Sequence, residues 1–349
     1  MNAGCSTLRC TLVTPLYNER DNVEDLWLSI LSQTRLPDEW ILTDNGSTDG
    51  TYEWLQEHAG TSPFPIVILR LPKTSIAHMM NVAILQARYD TIASCHGGTH
   101  IPCDWLSDLL HPFEQDGDVE VVAGVYEACG ETWFERQVAT TMPLDVDRLD
   151  AQTFLPASRS MAFKRGAWIK VGGFPEWLPK FGEDTLFAIR LHAARCRFVL
   201  AKDAKVGWRP KPTLRSLFRQ CRLYGEANGC MAFSRFSLGL LVRPWLPMAL
   251  GVAVGWGTHS FTVGVVTTIV LLVALWFLRR LLRRECPTVV GFLIVTLFLS
   301  VAIQVGLLRG NWWRRRGRVI VPQSDQAAVA TYLSTVSNGE VTLATLRND

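Results

Sequence analysis

Two apolar segments near the N-terminus each end in a polar loop, and a stretch of helical periodicity separates them. The first apolar segment, 9–16, leads into the loop 17–20, and the second, 39–43, leads into the loop 44–51. Between them, apolar residues recur at helical spacing, at Val23, Leu26, Trp27, Ile30 and Leu31. Parallel strands joined by a helix bind ligands beyond their carboxyl ends. The sequence therefore predicts an α/β fold with a ligand site where the two loops meet.

The loop 45–50 reads Asn-Gly-Ser-Thr-Asp-Gly, a composition that also suits an ordinary turn, because these residues supply positive φ angles and local side-chain caps. A local reading of this segment alone leaves both interpretations open. The presence of two motifs at a fixed spacing favours the ligand site. Further strands are predicted over 65–70, 91–95 and 119–126, with a helix over 75–88.

The two motifs together resemble the opening of the inverting family 2 glycosyltransferases, which have the GT-A fold. They read Pro15-Leu-Tyr17-Asn18-Glu19 and Asp44-Asn45-Gly46-Ser47-Thr48-Asp49-Gly50-Thr51. In that family the Tyr-Asn-Glu loop and the Asp that ends the second strand hold the base and ribose of a nucleotide-sugar. The resemblance implies a Rossmann-like nucleotide-sugar-binding domain whose donor site includes Pro15, Tyr17, Asn18, Glu19, Asp44, Asn45 and Ser47.

Three more positions are implied to lie near the donor diphosphate. Asn81 falls where the family has an Asn close to this group. Gly97 and Gly98 follow the predicted strand 91–95 and allow the backbone to approach a phosphate closely. These residues complete the predicted nucleotide-sugar site.

His96 departs from the family pattern, in which an Asp at this position holds a divalent cation against the diphosphate. Carboxylate oxygens suit Mg²⁺ or Mn²⁺ best, although an imidazole also binds Mn²⁺. Three interpretations stay open: His96 ligates a divalent cation, the transfer is independent of metal, or the protein is a non-catalytic nucleotide-sugar-binding or assembly protein of a glycan pathway.

The segment 159–184 resumes the resemblance. Its Gly172-Gly173-Phe174 turn corresponds to the turn that lines the acceptor side in the family, and Glu183-Asp184 corresponds to the carboxylate pair that includes the catalytic base. The resemblance implies that Asp184 is this base, with Glu183 beside it. A carboxylate can remove the proton of an acceptor hydroxyl. The pair also suits the first turn of a helix over 185–195, which is the structural alternative.

Two long stretches lack Asp, Glu, Lys and Arg, namely 244–278 and 286–308. A spanning helix needs about 20 apolar residues, so the first stretch is long enough for a helical hairpin that turns near 257–260. Whether the second stretch crosses fully or re-enters is open, so two or three membrane helices are predicted. Buried helices in a soluble core are disfavoured by the length of the stretches and by the flanking arginines.

Positive charge is concentrated in the same region. Residues 202–318 contain 18 Lys and Arg against 3 Asp and Glu, whereas the whole chain has a net charge of +3. The basic residues before the first stretch, which favour anionic headgroups or a phosphorylated substrate, are Lys205, Arg209, Lys211, Arg215, Arg219, Arg222, Arg235 and Arg243. The segment 1–7 is short and polar and does not resemble a cleavable signal. We therefore expect a multi-pass protein of the cell membrane with a cytoplasmic catalytic domain.

These features predict a GT-A glycosyltransferase domain over 1–235, a membrane-associated region over 236–318 and a C-terminal tail over 319–349. The predicted enzyme is an inverting glycosyltransferase of the hexosyltransferase type. It moves a sugar from a nucleotide-sugar to a lipid-linked or membrane-proximal glycan acceptor. A divalent cation, Mg²⁺ or Mn²⁺, is the possible cofactor, and no nucleic-acid partner is predicted.

Overall fold

A computed structural model describes residues 8–141, 146–232, 246–282 and 288–338. The predicted boundary at 235 and 236 lies outside the described residues, as do Arg235, Arg243, Arg283 and Arg284. The described chain divides into two compact units. One comprises 8–127, 146–208 and 321–338, and the other comprises 128–141, 209–232, 246–282 and 288–320.

The first unit is built on an eight-stranded sheet with the strand order β3-β2-β1-β4-β7-β6-β8-β5. The strands β1 to β4 form the parallel part, and β7 pairs antiparallel with both β4 and β6. The strands are β1 Cys10–Leu16, β2 Glu39–Asp44, β3 Ile66–Arg70, β4 Thr91–Ser94, β5 Thr99–His100, β6 Val121–Ala128, β7 Met161–Lys164 and β8 Phe198–Trp208.

Helices cover both faces of this sheet, which explains why every residue of β1 and β2 is buried. One core layer contains Trp27, Trp40 and Trp105, and the other contains Phe163, Phe174 and Phe187. The helices of this unit are α1 Val23–Leu31, α2 Thr51–His58, α3 Ile76–Gln86, α4 Trp105–Gln115, α6 Arg165–Lys170, α7 Glu183–Ala193 and the C-terminal α12 Gln323–Asn338. The α/β Rossmann-type fold predicted from the sequence is confirmed.

The register of the first two strands positions the ligand edge. In the parallel pair β1 and β2, Leu16 lies opposite Asp44 and Pro15 lies opposite Thr43. Both strands therefore end at the same level, and the loops that follow them leave the sheet side by side. Pro15 lies within β1, one residue before the strand ends at Leu16.

The second unit is entirely helical in the described residues. Its longest helix packs along α8, and the two backbones approach closely: a Cβ at Gly306 would lie 2.0 Å from the carbonyl oxygen of Arg222. An ion pair joins α5 to the segment before α8: Arg209 Nε lies 2.9 Å from Glu135 Oε1. The helices are α5 Trp133–Thr141, α8 Leu214–Cys230, α9 Leu246–Gly257, α10 Phe261–Leu282 and α11 Val289–Arg315.

The hairpin predicted to turn near 257–260 is present, since α9 ends at Gly257 and α10 begins at Phe261. However, within the described ranges no helix combines the length and the apolar character that a membrane crossing requires. The helix α9 has 12 residues, fewer than the roughly 20 of a spanning helix. The helix α11 carries Arg309, Arg314 and Arg315 towards its end. The predicted two or three membrane helices are therefore not supported by the described chain.

The segment predicted as a C-terminal tail contains the helix α12. Asp325 of this helix is buried, and its carboxylate accepts from Arg190 Nε at 2.6 Å and from Trp177 Nε1 at 2.7 Å. The hydroxyl of Tyr332 donates to the carbonyl of Thr153 at 2.7 Å. The end of the chain thus returns to the first unit and packs against α7.

Candidate functional site

The two predicted donor loops are joined by hydrogen bonds. The N–H of Asn18 donates to Ser47 Oγ at 2.9 Å, and the N–H of Thr48 donates back to Asn18 Oδ1 at 3.0 Å. The N–H of Glu19 donates to Thr51 Oγ1 at 2.9 Å. Asn18 has a φ of 54°, which an Asn adopts more readily than most residues. The predicted meeting of the two loops at one edge is therefore confirmed.

Asp44 ends β2 with a fully buried side chain. Its Oδ2 accepts from the N–H of Ser47 at 3.1 Å, and Arg70 Nε lies 4.0 Å away. Its Oδ1 has no hydrogen-bond partner among the described residues. A buried, unpaired acceptor is costly, because water has been removed without replacement. This oxygen is suited to accept a hydrogen bond from a ligand at the loop edge.

Asn45 and Tyr17 shape the same edge in different ways. The side-chain Oδ1 of Asn45 accepts from the N–H of Thr74 at 2.6 Å, and its Nδ2 donates to the carbonyl of Thr74 at 3.1 Å. Asn45 therefore fixes the segment before α3. Tyr17 is exposed, and Lys73 Nζ lies 4.9 Å from its ring centroid, in the range of a cation–π contact.

The glycine pair after β4 lies against the first donor loop. A Cβ on Gly97 would be 2.8 Å from Glu19 Cγ and 2.9 Å from Leu16 Cδ2, so a larger residue would displace these two side chains. Gly98 has a φ of +68° and faces the carboxylate of Glu19. The structure therefore brings Gly97 and Gly98 together with Tyr17, Asn18 and Glu19.

The side chain of Asn81, which the resemblance implies lies near the donor diphosphate, is held by the turn at Gly172, Gly173 and Phe174. Its Oδ1 accepts from the N–H of Phe174 at 2.9 Å and from Trp168 Nε1 at 3.1 Å. Its Nδ2 donates to the carbonyl of Phe174 at 2.9 Å and to Glu176 Oε1 at 2.7 Å. Because both donors and both acceptor positions are used, the amide is committed to the turn at Gly172, Gly173 and Phe174. Its contact partners are on the predicted acceptor side.

The carboxylate pair lies at the start of α7, as the sequence predicted. Glu183 is buried, whereas Asp184 is partly exposed, and Asp184 Oδ1 accepts from the N–H of Thr185 at 2.7 Å. Burial first, and then the negative charge of Asp184, raise the pKa of Glu183 to about 8. Glu183 is therefore protonated at neutral pH, which leaves Asp184 as the more accessible carboxylate.

His96 follows β4 and lies near the positively charged Arg159. Its Nε2 is 2.8 Å from Ser158 Oγ. Burial, together with the nearby positive charge of Arg159, lowers the pKa of His96 to about 3, so the imidazole is neutral at physiological pH. The positive charge of Arg159 also acts on Glu183, where it lowers the pKa and so partly offsets the effect of burial.

Arg159 is a residue that the sequence reasoning did not single out. Its guanidinium lies over two aromatic rings, 5.2 Å from the centroid of Tyr126 and 5.4 Å from that of Trp208. A signal was present in the sequence, since Arg159 lies two residues before β7 and begins the segment that resumes the family resemblance. However, nothing local distinguishes it from Lys164 or Arg165 in the same segment.

The residues around His96 do not fit a divalent cation well. Among the described residues, no group of three or more His, Cys, Asp and Glu side chains is placed to hold a metal ion. His96 contributes a single neutral nitrogen, and the positive charge beside it opposes the approach of a cation. Hard cations are held by several oxygen ligands. A single imidazole beside a positive charge is therefore a poor site for Mg²⁺ or Mn²⁺.

Residues 11–172 match the model of the family described as glycosyl transferase family 2. No match is found among curated proteins. The matched range includes both donor loops, His96, Arg159 and the start of the acceptor-side turn.

Solved structures with the same type of fold include glycosyltransferases. A mannosyltransferase from Pyrobaculum calidifontis, in complex with GDP-Man and Mn²⁺, has a TM-score of 0.59 and 17% identity, over 87% of this chain and 88% of that chain. S. aureus TarS 1–349 in complex with UDP has a TM-score of 0.47 and 18% identity, over 62% of this chain and 64% of that chain. The UDP-GlcNAc complex of the same fragment has a TM-score of 0.48 and 17% identity, over 62% and 66%.

The fold and the family match together define the class of this protein. It carries a GT-A-like α/β domain, and its residues 11–172 match the glycosyl transferase family 2 model. These two findings support the predicted enzyme class, a glycosyltransferase. The roles of the individual site residues stay predictions.

Proposed function

We propose that the protein is an inverting glycosyltransferase that moves a sugar from a nucleotide-sugar to an acceptor hydroxyl, with Asp184 as the general base. The observation that carries the proposal is the carboxylate pair at the start of α7. There, buried Glu183 is kept protonated and partly exposed Asp184 can meet an acceptor. One neutral and one accessible carboxyl group on adjacent residues are suited to acid–base chemistry.

The donor is proposed to lie along the edge formed by the two joined loops. The unpaired Oδ1 of Asp44 is available to accept from a base N–H or a ribose hydroxyl, and Tyr17 offers an exposed ring beside it. The donor phosphates are proposed to lie along the backbone at Gly97 and Gly98, because a glycine has no side chain to keep a phosphate away. The acceptor is proposed to bind at the turn of Gly172, Gly173 and Phe174.

The proposed step is a single displacement. Asp184 takes the proton of the acceptor hydroxyl while the acceptor oxygen forms a bond to the anomeric carbon. The bond between that carbon and the phosphate oxygen breaks, and its electron pair leaves with the nucleoside diphosphate. Attack opposite the leaving group inverts the anomeric centre. General-base catalysis of this kind contributes about 10²- to 10⁴-fold to a rate.

We further propose that the acceptor is a lipid-linked or membrane-proximal glycan and that the protein works at the cytoplasmic face of the cell membrane. Support comes from the helices α9 and α10, where Trp256 and Phe261 are 82% and 86% exposed. Large exposed apolar patches favour lipid or protein contacts. Flotation with vesicles of anionic phospholipid should carry the protein to the top of a sucrose gradient, and recovery in the dense fraction would oppose this part of the proposal.

The donor is tested by calorimetric titration of the full chain with UDP-, GDP- and dTDP-sugars. Saturable binding of one of these donors supports the proposal and names the nucleotide. The bound donor is then incubated with candidate acceptors, and the anomeric configuration of the product is read by NMR. Product with inverted configuration supports the proposed step, whereas retained configuration, or no binding to any nucleotide-sugar, overturns it.

A further inference from the structure

The guanidinium of Arg159 is held in place by aromatic rings. It lies 5.2 Å from the ring centroid of Tyr126, on β6, and 5.4 Å from that of Trp208, at the end of β8. Stacking of this kind fixes the plane of the guanidinium and leaves its edge free to make hydrogen bonds. Arg159 is thus pre-oriented by the sheet, and no carboxylate is needed to position it.

Part of this cation lacks a protein partner. The Nε of Arg159 is buried and has no hydrogen-bond partner among the described residues. A buried donor without a partner is unfavourable, and such groups are rare in folded proteins. A donor of this type on a fixed guanidinium is well suited to bind an anion, because a guanidinium matches the oxygens of a phosphate in a planar fork.

The surroundings of Arg159 belong to the proposed reaction centre. Its positive charge acts on the imidazole of His96, next to the Gly97 backbone, and on the carboxyl of Glu183, next to Asp184. The residue before Arg159, Ser158, lies with its Oγ 2.8 Å from His96 Nε2, which ties this segment to the end of β4. Arg159 is therefore a charged residue near both His96 and the carboxylate pair.

The proposed transfer needs positive charge at this place. As the bond from the anomeric carbon to the phosphate oxygen breaks, its electron pair stays on that oxygen, and the negative charge of the diphosphate increases. Such charge is stabilised by a metal ion or by fixed basic side chains. The described residues hold no cluster of metal ligands, and His96 is neutral.

We propose that Arg159 binds the diphosphate of the nucleotide-sugar donor and stabilises the charge that develops on it, so that donor binding does not require a divalent cation. This inference rests on the proposed function, and it adds a substrate-binding residue and the absence of a metal requirement.

The test compares ligands that differ only in the diphosphate. The full chain, as wild type and as Arg159→Gln, is titrated in EDTA with UDP and GDP and with the matching nucleosides, uridine and guanosine. For the nucleotide that binds, Arg159→Gln is expected to weaken nucleoside diphosphate binding about 100-fold and to change nucleoside binding less than about twofold. These values are expected because the substitution removes charge-assisted hydrogen bonds to the phosphates and leaves the contacts of the nucleoside unchanged.

Two further variants make the result specific. Arg159→Lys keeps the charge but loses the planar fork, so an intermediate loss of about tenfold is expected. It also serves as the second variant if Arg159→Gln does not fold. Arg197→Gln is the matched control, because Arg197 is an exposed residue that pairs with Asp116 and Asp118 on the surface. Its affinity for the nucleoside diphosphate should equal that of the wild type.

The outcomes separate this inference from the proposed function. If wild type binds a nucleoside diphosphate and Arg159→Gln binds it equally well, the inference is overturned, and Arg159 then holds another anion such as a phosphate of the acceptor. Binding by wild type that requires Mn²⁺ also overturns it. Failure of wild type to bind any nucleoside diphosphate, with or without Mn²⁺, contradicts the proposed function itself.

Discussion

The side-chain amide of Asn81 brackets the backbone of Phe174, accepting from its N–H and donating to its carbonyl, both at 2.9 Å. This pair fixes the turn that contains Gly172 and Gly173 to the helix α3. A Cβ on Gly173 would lie 2.9 Å from Asn81 Oδ1, so the turn and the amide fit each other closely. Asn81, on the helix α3, therefore holds the proposed acceptor side in place.

Replacing Asn81 by Ala should lower stability, because Trp168 Nε1 and the backbone N–H of Phe174 lose their acceptor. We expect the free energy of unfolding to fall by about 2 kcal/mol. Urea unfolding followed by circular dichroism measures this change. Gln56→Ala, an exposed position on α2, is the control and should stay within about 0.5 kcal/mol. Equal stability of the two variants would contradict the clamp role of Asn81.

Gly97→Ala should disturb the donor edge, since the added Cβ would lie 2.8 Å from Glu19 Cγ. Displacement of the Glu19 side chain is expected to weaken nucleoside diphosphate binding about tenfold, a loss of about 1.4 kcal/mol. Gly166→Ala is a matched control, because its Cβ would meet nothing within 4 Å. The calorimetric affinity of the control should be within about twofold of wild type. An unaffected Gly97→Ala would place the donor elsewhere.

Asp44→Asn tests the base and ribose end of the proposed donor site. The substitution replaces an acceptor-only carboxylate with an amide and removes a charge from the unpaired Oδ1 position. Binding of the nucleoside and of the nucleoside diphosphate should weaken equally, by about tenfold. This pattern differs from that expected for Arg159→Gln, which affects the diphosphate alone. Asp25→Asn, exposed on α1, provides the control, and a loss confined to the diphosphate would oppose the assignment of Asp44.

The stability of the protein should depend on the protonation of Glu183. Its folded-state pKa, about 8, lies above its ordinary value of 4.5 because of burial and the charge of Asp184. The folded state therefore binds the proton more tightly. The stabilising contribution is fully present below about pH 4.5 and is lost as pH rises through about 8. The midpoint temperature of thermal unfolding, Tm, should fall less between pH 6 and pH 9 for Glu183→Gln than for wild type. Identical slopes would contradict the raised pKa.

The fold could be predicted from sequence where the signals were local. The strands β1 and β2, the helix between them and the loops that follow them have apolar periodicity and turn residues within about 40 positions. Because parallel strands end at the same edge, the meeting of Asn18 with Ser47 followed from the element order alone. The position of Glu183 and Asp184 at the start of a helix came instead from the family resemblance and from the preference of acidic residues for the first helical turn.

Features that depend on distant pairs could not be predicted in this way. The partner of Asn81, Phe174, is 93 residues away, and the sequence implied a diphosphate contact instead of a clamp. Arg159 stacks on Tyr126 and Trp208, which come from two other strands, and a lone Arg before a strand carries no sign of such a pocket. Long apolar stretches such as 286–308 indicated membrane crossings, but apolar length alone does not show whether a helix packs on another helix, as α11 does on α8.

The central claim is that Asp184 removes the acceptor proton in a glycosyl transfer. The most direct measurement is the transfer rate of Asp184→Asn at saturating donor, alongside its donor affinity, with Asp118→Asn, 86% exposed on the surface, as the control. We predict that the rate falls by about 10³-fold, that donor affinity stays within about threefold of wild type, and that the control transfers normally. A variant that keeps more than about a tenth of the wild-type rate would contradict the claim.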